Sequence, residues 1–379
     1  MKDRLKKILA FTSAAALIGT AALAQDFVVG ITFDAGGKFD ASFNEGTWNG
    51  LVRAVDELSA TYEIDILEYE PSSGGQTADG QRRMARDEGA EVIIAPGFNQ
   101  EDAVESVAAE FPDTAFVIID TEAEAADNIR SVMFRDQEGS YLVGYIAGKL
   151  TQSGTVGFVG GMDVPLIRNF NQGYAMGVLA ACEDCTVISN YVGVTPDAWN
   201  DPATAKELAS LQHAQDADII YSAAGGSGRG TIDFINERQC WVPSGDLRNP
   251  EFKERVDGIA KSAEYEAACE ADAVPLFFIG VDSNQNPEGD TDGDPTTLNH
   301  GLTSMLKRVD TAAYTAVMDV VDGTFTPGLQ ELGVAEEGVG FALDEYNEDL
   351  LSEELLAELE EVAAAIASGE IVVPDYRDE

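Results

Sequence analysis

Short apolar runs alternate with amphipathic helical stretches along most of this 379-residue chain. The runs at 27–33, 62–70, 91–97, 115–121, 129–135, 154–161, 186–193, 217–225, 276–283 and 302–306 read as strands, being brief, β-branched and bounded by turn residues. Between them, 44–59, 76–88, 100–110, 138–151, 168–181, 202–215, 228–238 and 307–322 carry apolar residues at helical spacing. Strands and helices in alternation predict an α/β fold with parallel sheets covered on both faces. Ten strands are many for one open sheet, and the length suits two halves of similar build.

The pattern also says where chemistry belongs. The loops Asp34–Asn44, Gly97–Gln100, Asp120–Thr121, Gly160–Arg168, Gly225–Gly230 and Asp282–Asn286 all follow strand carboxyl ends, where open parallel sheets bind ligands. Two sheets facing each other would gather these loops into one cleft. Two segments break the rhythm. Residues 239–275 read as an insertion stapled by Cys240 and Cys269, and they follow the glycine-rich loop closely enough to shape a cleft rim. Residues 284–299 form a polar, acidic loop. The tail, 344–370, reads as an acidic helix with Leu355, Leu356, Leu359, Val362 and Ile366 on its buried stripe.

The first 24 residues fix the expected compartment. A basic start with Lys2, Arg4, Lys6 and Lys7 precedes an apolar run ending Ala22-Leu23-Ala24, which predicts a secretory leader cleaved before Gln25. The first cysteine is Cys182, so no lipid attachment is expected at the cut, and no later stretch is long and apolar enough to anchor the chain in a bilayer. The chain is thus expected to be periplasmic and free of a direct membrane anchor. Its net charge of −45 opposes phosphate backbones, which argues against nucleic acid as a partner. Most of the acids read as a hydrated surface.

Motifs argue against catalysis and against a bound metal. Cys182 and Cys185 enclose Glu183 and Asp184, neighbours that disfavour a thiolate, so a structural disulfide is expected there rather than a redox pair. The two histidines, His213 and His300, carry no ligand motif. Asp290, Asp292 and Asp294 have the spacing of a calcium loop, but Pro295 replaces its turn glycine and Gly301 its bidentate glutamate. GGSGRG (225–230) lacks the Gly-Lys-Ser/Thr of a phosphate loop, and Thr231 stands where a dinucleotide fingerprint needs glycine. No hydrolase elbow or zinc-helix motif occurs. No cofactor is implied. A secreted nucleoside or glycoside hydrolase is the rival from another class, and Asp34 and Asp40 do not supply the acidic cluster that the first would need.

A set of ordered motifs is more specific. GGKFDASFNEGTWNGL (36–51), APGF (95–98), GGMDVPLIRNFNQGY (160–174), SNYVGVTPDAWNDP (189–202), AAGGSGRG (223–230), IGVDSNQ (279–285), LTSMLKRVD (302–310) and EEGVGFALDEYN (336–347) resemble the basic membrane protein family. Its members are substrate-binding proteins of ABC importers, similar to purine nucleoside receptors. The resemblance implies a periplasmic-binding-protein type I fold, two doubly wound α/β lobes joined by a three-strand hinge. The first lobe would take 25–135 plus about 299–325, and the second about 136–298 plus about 326–379. It implies a monomer that captures a nucleoside, with a purine nucleoside favoured, and hands it to separate permease and ATPase subunits. Riboflavin or another heteroaromatic or polyol ligand is the alternative within the family.

Residue by residue, the resemblance makes Phe43 a stacking wall for a base and Asn44 a partner to its edge. Asp34 and Asp120 would accept hydrogen bonds from the ligand, Asp282 would take ribose hydroxyls, and Lys307 would donate to the ribose and balance Asp282. Gly225 and Gly226 would form the close-approach loop. Many relatives place a second aromatic near 231–232; here Thr231 and Ile232 stand there, so the opposite wall is expected from Ile232, Phe170 or Trp199. Asp40 and Phe98 are further candidates. Each has a plainer reading: Phe43 and Phe98 as core, Asn44 as a helix cap, Lys307 as a surface charge, and Asp163 paired with Arg168.

Overall fold

The computed structural model describes residues 25–378 except 72, 73, 244 and 271; the expected leader, 1–24, lies outside the described residues. Five strands come first: β1 (Gln25–Thr32), β2 (Tyr62–Tyr69), β3 (Val92–Pro96), β4 (Ala115–Ile119) and β5 (Ile129–Phe134). Next come β6 (Thr155–Met162), β7 (Thr186–Gly193), β8 (Ile219–Ala223), β9 (Cys240–Trp241), β10 (Val274–Pro275), β11 (Phe277–Asp282), β12 (Gly301–Lys307), β13 (Gly328–Leu332) and β14 (Val339–Phe341). The first six-stranded sheet has the order β13-β5-β4-β3-β1-β2 and is parallel throughout. The second has the order β14-β12-β11-β8-β6-β7 and is parallel except for its edge strand β14.

Helices cover both sheets. They are α1 (Phe43–Leu58), α2 (Thr77–Arg86), α3 (Glu101–Ala108), α4 (Asp136–Leu150), α5 (Pro165–Ala181), α6 (Pro202–His213), α7 (Gly228–Arg238), α8 (Pro250–Asp257), α9 (Ala263–Ala268), α10 (Val309–Val321) and α11 (Glu353–Ala367). The central strands β3 and β8 are buried along their whole length, as apolar runs VIIAP and IIYSA require when both faces are covered. In the tail helix α11, Leu355, Leu359 and Ile366 are the buried stripe, and Ser352 caps its start by accepting from Leu355 N.

The chain passes between the sheets three times: from β5 into α4, from β12 into α10, and from β13 to β14. This differs from the expected boundaries in two places. Residues 301–307 were expected with the first lobe, yet β12 pairs with β11 in the second sheet. Conversely β13, expected with the second lobe, pairs with β5 in the first. The crossing therefore falls at Arg308, and Lys307 ends a strand instead of opening a helix. Both Cys182–Cys185 and Cys240–Cys269 are disulfides. The insertion forms β9, α8, α9 and β10, and packs through Phe252 on Phe277. None of its described residues lines the cavity between the lobes.

Candidate functional site

Between the lobes lies a cavity lined by residues of both. Asp34, Ala35, Asp40, Phe43, Asn44, Gly97, Phe98 and Asp120 wall it from the first lobe. Leu166, Ile167, Phe170, Trp199, Ala223, Gly225, Val281, Asp282 and Lys307 wall it from the second. These residues stand at strand carboxyl ends, in the loops that follow them or in the first turns of the helices beyond, as parallel-sheet geometry requires.

Phe43 opens α1, and the loop before it is built around Asp40. The buried Asp40 carboxylate accepts from the backbone N–H groups of Ser42 (2.9 Å), Asn44 (2.9 Å) and Glu45 (3.1 Å), so it caps the helix. Burial nonetheless pushes its pKa above the ordinary carboxylate value, with those hydrogen bonds opposing. Asn44 is largely committed as well. Its Oδ1 accepts from Asp34 N at 2.9 Å and its Nδ2 donates to Asp40 at 3.0 Å. One N–H and one lone pair of the amide remain for a ligand. Capping thus belongs to Asp40, while Asn44 ties the strand-end Asp34 to the helix start. Gly97, with φ +106°, lets the chain turn beneath Asp34; a Cβ there would collide with the Asp34 carboxylate.

The charged part of the site centres on Lys307, whose side chain is only 1% exposed. Its Nζ lies 2.6 and 2.8 Å from the two Asp120 oxygens and 3.1 Å from Asp136 Oδ1. Burial disfavours the ammonium, but Asp120, Asp136 and Asp282 together outweigh it and hold the pKa above that of an ordinary lysine. The rings of Phe134, Phe170 and Phe43 also surround the cation, at 5.3, 5.3 and 5.4 Å. Burial raises the pKa of Asp136, which the sequence reading did not single out; it opens α4 in the ordinary-looking run FRDQEGS.

Asp282 and Asp34 are the carboxylates with capacity left. Burial pushes Asp282 up to about 6, with Lys307 and a hydrogen bond from Ser42 pulling the other way. Burial likewise pushes Asp34 up to about 6, against hydrogen bonds from Ala35 and Asn99. Opposite Phe43's lobe, Trp199 lines the cavity, and its Nε1 is buried with no partner among the described residues. Gly225, with φ +52°, brings backbone to the wall.

Eleven of the residues singled out from sequence line this one cavity: Asp34, Asp40, Phe43, Asn44, Phe98, Asp120, Phe170, Trp199, Gly225, Asp282 and Lys307. Two do not. Ile232 is 5% exposed and packs in the core beside Val159 and Ala205, facing the sheet from α7, so it is no wall of the site. Gly226 lies just behind the lining, close to the Trp199 carbonyl. Asp163 and Arg168 pair with each other at 2.7 Å, the plainer reading of that pair. The apolar lining from Leu166, Ile167, Ala223 and Val281 carries no side-chain chemistry that would mark it in the sequence; Leu166 and Ile167 lie within the motif at 160–174.

Two doubly wound lobes, three chain crossings and a cavity between facing strand ends define a type I periplasmic-binding fold, the architecture of hinged solute-binding proteins. The family model for ABC transporter substrate-binding protein PnrA-like, Bmp, matches residues 27–242. A CD4+ T-cell-stimulating antigen of Listeria monocytogenes is 31% identical, covering 93% of this chain and 89% of that one. An ABC transporter nucleoside-binding protein, BmpA, of Lactococcus lactis is 27% identical over 92% of this chain and 89% of its own. The crystal structure of an ABC transporter solute-binding protein from Aeropyrum pernix K1 superposes with a TM-score of 0.71 at 27% identity, covering 93% and 96% of the two chains. The chain belongs to the Bmp family of ABC transporter substrate-binding proteins.

Proposed function

We propose that this protein captures a nucleoside, a purine nucleoside by preference, in the interlobe cavity and delivers it to the permease and ATPase of an ABC importer. The observation that carries the reading is the division of the cavity into an aromatic part and an acidic part. Phe43 and Trp199 stand on different lobes and offer flat faces to a base. Asp282 and Asp34 offer charged acceptors to hydroxyl and amino donors, and a carboxylate can accept from two neighbouring hydroxyls. Lys307 is consumed in holding Asp120 and Asp136, so it serves the ligand mainly by keeping the site from being wholly anionic. No group arrangement for bond cleavage is needed to explain these positions, and the protein is read as a receptor rather than an enzyme.

The chain works outside the cytoplasm, released by cleavage before Gln25 and acting as a monomer without a lipid anchor. Among the described residues no helix is long and apolar enough to cross a membrane. A thermal-shift panel of nucleosides, free bases, riboflavin and sugars tests the reading, because a ligand that binds only the folded state raises the melting temperature by mass action. A purine nucleoside is expected to give the largest shift. Riboflavin or a sugar shifting the melt while every nucleoside fails would overturn the ligand assignment, and consumption of the nucleoside would overturn the receptor assignment.

A further inference from the structure

Asp282 sits at the end of β11 with φ +63°, a left-handed conformation that a non-glycine residue keeps only when its surroundings hold it. The surroundings that hold it come from the other lobe. Ser42 Oγ lies 2.5 Å from Asp282 Oδ2 and 3.3 Å from the Val281 carbonyl, and the shorter contact is to the carboxylate. Among the described residues it is the one hydrogen bond the Asp282 side chain accepts. Ser42 is itself completely buried and is not part of the cavity wall.

The hydroxyl is held in place from three directions. Ser42 N donates to Asp40 at 2.9 Å, Ser42 O accepts from Ser283 Oγ at 2.9 Å, and Ala41 O accepts from Gln285 Nε2 at 2.9 Å. Ala41 has φ +56°, so the turn that aims Ser42 across the lobe boundary is also one the surroundings must hold. The second-lobe segment 281–285 and the first-lobe pair 41–42 therefore form one interlocked patch.

We propose that Ser42 is a positioning residue of the binding site: its hydroxyl, supplied by the first lobe, fixes the second-lobe carboxylate Asp282 so that Oδ2 is occupied and Oδ1 is presented to ligand hydroxyls. Docking of the two lobes and orientation of the acceptor then become one event. The lone hydroxyl is a hydrogen-bond donor to a charged acceptor, the stronger kind, and it also favours the ionised form of a carboxyl that faces Lys307, Asp120, Asp40 and the Tyr221 hydroxyl. The inference rests on the reading of Asp282 as the acceptor for a nucleoside's hydroxyls.

The test is a double-mutant cycle read by calorimetric affinity for adenosine, guanosine and inosine, using the tightest binder of the three as probe. Ser42→Ala is expected to weaken wild-type affinity about tenfold, the scale of one charge-assisted hydrogen bond. In an Asp282→Ala background the same substitution is expected to change affinity less than twofold, because the group it positions is gone. Ser42→Thr keeps the hydroxyl and is expected to restore most of the affinity, which separates positioning from a general loss of fold. Equal losses from Ser42→Ala in both backgrounds, or no rescue by threonine in a variant that melts like wild type, would overturn the proposal. If none of the three nucleosides binds the wild-type protein, the nucleoside reading fails instead, and with it the premise rather than the cycle.

Discussion

Asp120 and Asp282 stand at the carboxyl ends of matching strands, β4 in the first sheet and β11 in the second, and both are left-handed, with φ +74° and +63°. Their surroundings then part. Asp120 gives both oxygens to the Lys307 ammonium, whereas Asp282 gives one oxygen to a neutral hydroxyl and feels Lys307 only as a nearby charge. The same backbone device thus yields a structural anion in one lobe and an acceptor with spare capacity in the other. A carboxylate's place in a cleft does not make it a ligand contact; what else it is bonded to decides that.

That contrast can be broken most severely at Lys307. Lys307→Met would leave Asp120 and Asp136 buried without their cation, and removing one partner of a buried ion pair costs about 3–5 kcal/mol of stability. Denaturant unfolding measures it, and a loss below about 1 kcal/mol would show that the carboxylates are not held as described. Next in size is the paired comparison of Asp282→Ala and Asp120→Asn. Asp282→Ala is expected to weaken nucleosides by about ten- to a hundredfold while sparing the free base, the range for a hydrogen bond to a charged group. Asp120→Asn is expected to lower stability with little change in that nucleoside-to-base ratio. Similar ratios in the two variants would erase the distinction.

The smallest effect is in pH. Asp282 and Asp34 have folded pKa values near 6, raised by burial from an ordinary 3.8. Carboxyls raised in this way cost stability once ionised, so their burden on the ligand-free fold lightens as pH falls from about 7 toward 5. Affinity should move the opposite way, weakening as the acceptors protonate through pH 6. The groups facing them, Lys307, Asp120 and Asp40, set the steepness. Affinity that stays level from pH 8 to 5 would contradict an ionised acceptor at either position.

Much of this was legible in the chain. Alternating runs located the strands, and the rule that ligands lie beyond strand carboxyl ends put Asp34, Phe43, Asp120 and Asp282 in one place before any geometry. What stayed hidden was hidden for physical reasons. Whether Asn44 faces a ligand or ties two loops together depends on the φ and ψ of the turn from Asp34 to Ser42, which spacing does not encode. Asp136 looks like any acid in the first turn of a helix until the fold brings Lys307, distant in sequence, to 3.1 Å from it. Ile232 follows a glycine-rich loop by only two residues, yet helix phase turns it into the core. β14 has only three residues, and β13, GLQEL, breaks its apolar positions with Gln330 and Glu331 instead of forming an apolar run; missing β13 displaced the later lobe boundary.

The central claim is that an aromatic, acidic cavity between the lobes holds a nucleoside through its base and its sugar hydroxyls together. The most direct measurement is a calorimetric titration of the unaltered protein with a purine nucleoside and with its 2′,3′-dideoxy counterpart. One nucleoside per chain is expected, with the dideoxy compound weaker by about tenfold or more, because a buried charged acceptor is left unpaired. Equal affinities for the two, or no binding of either, would contradict the account.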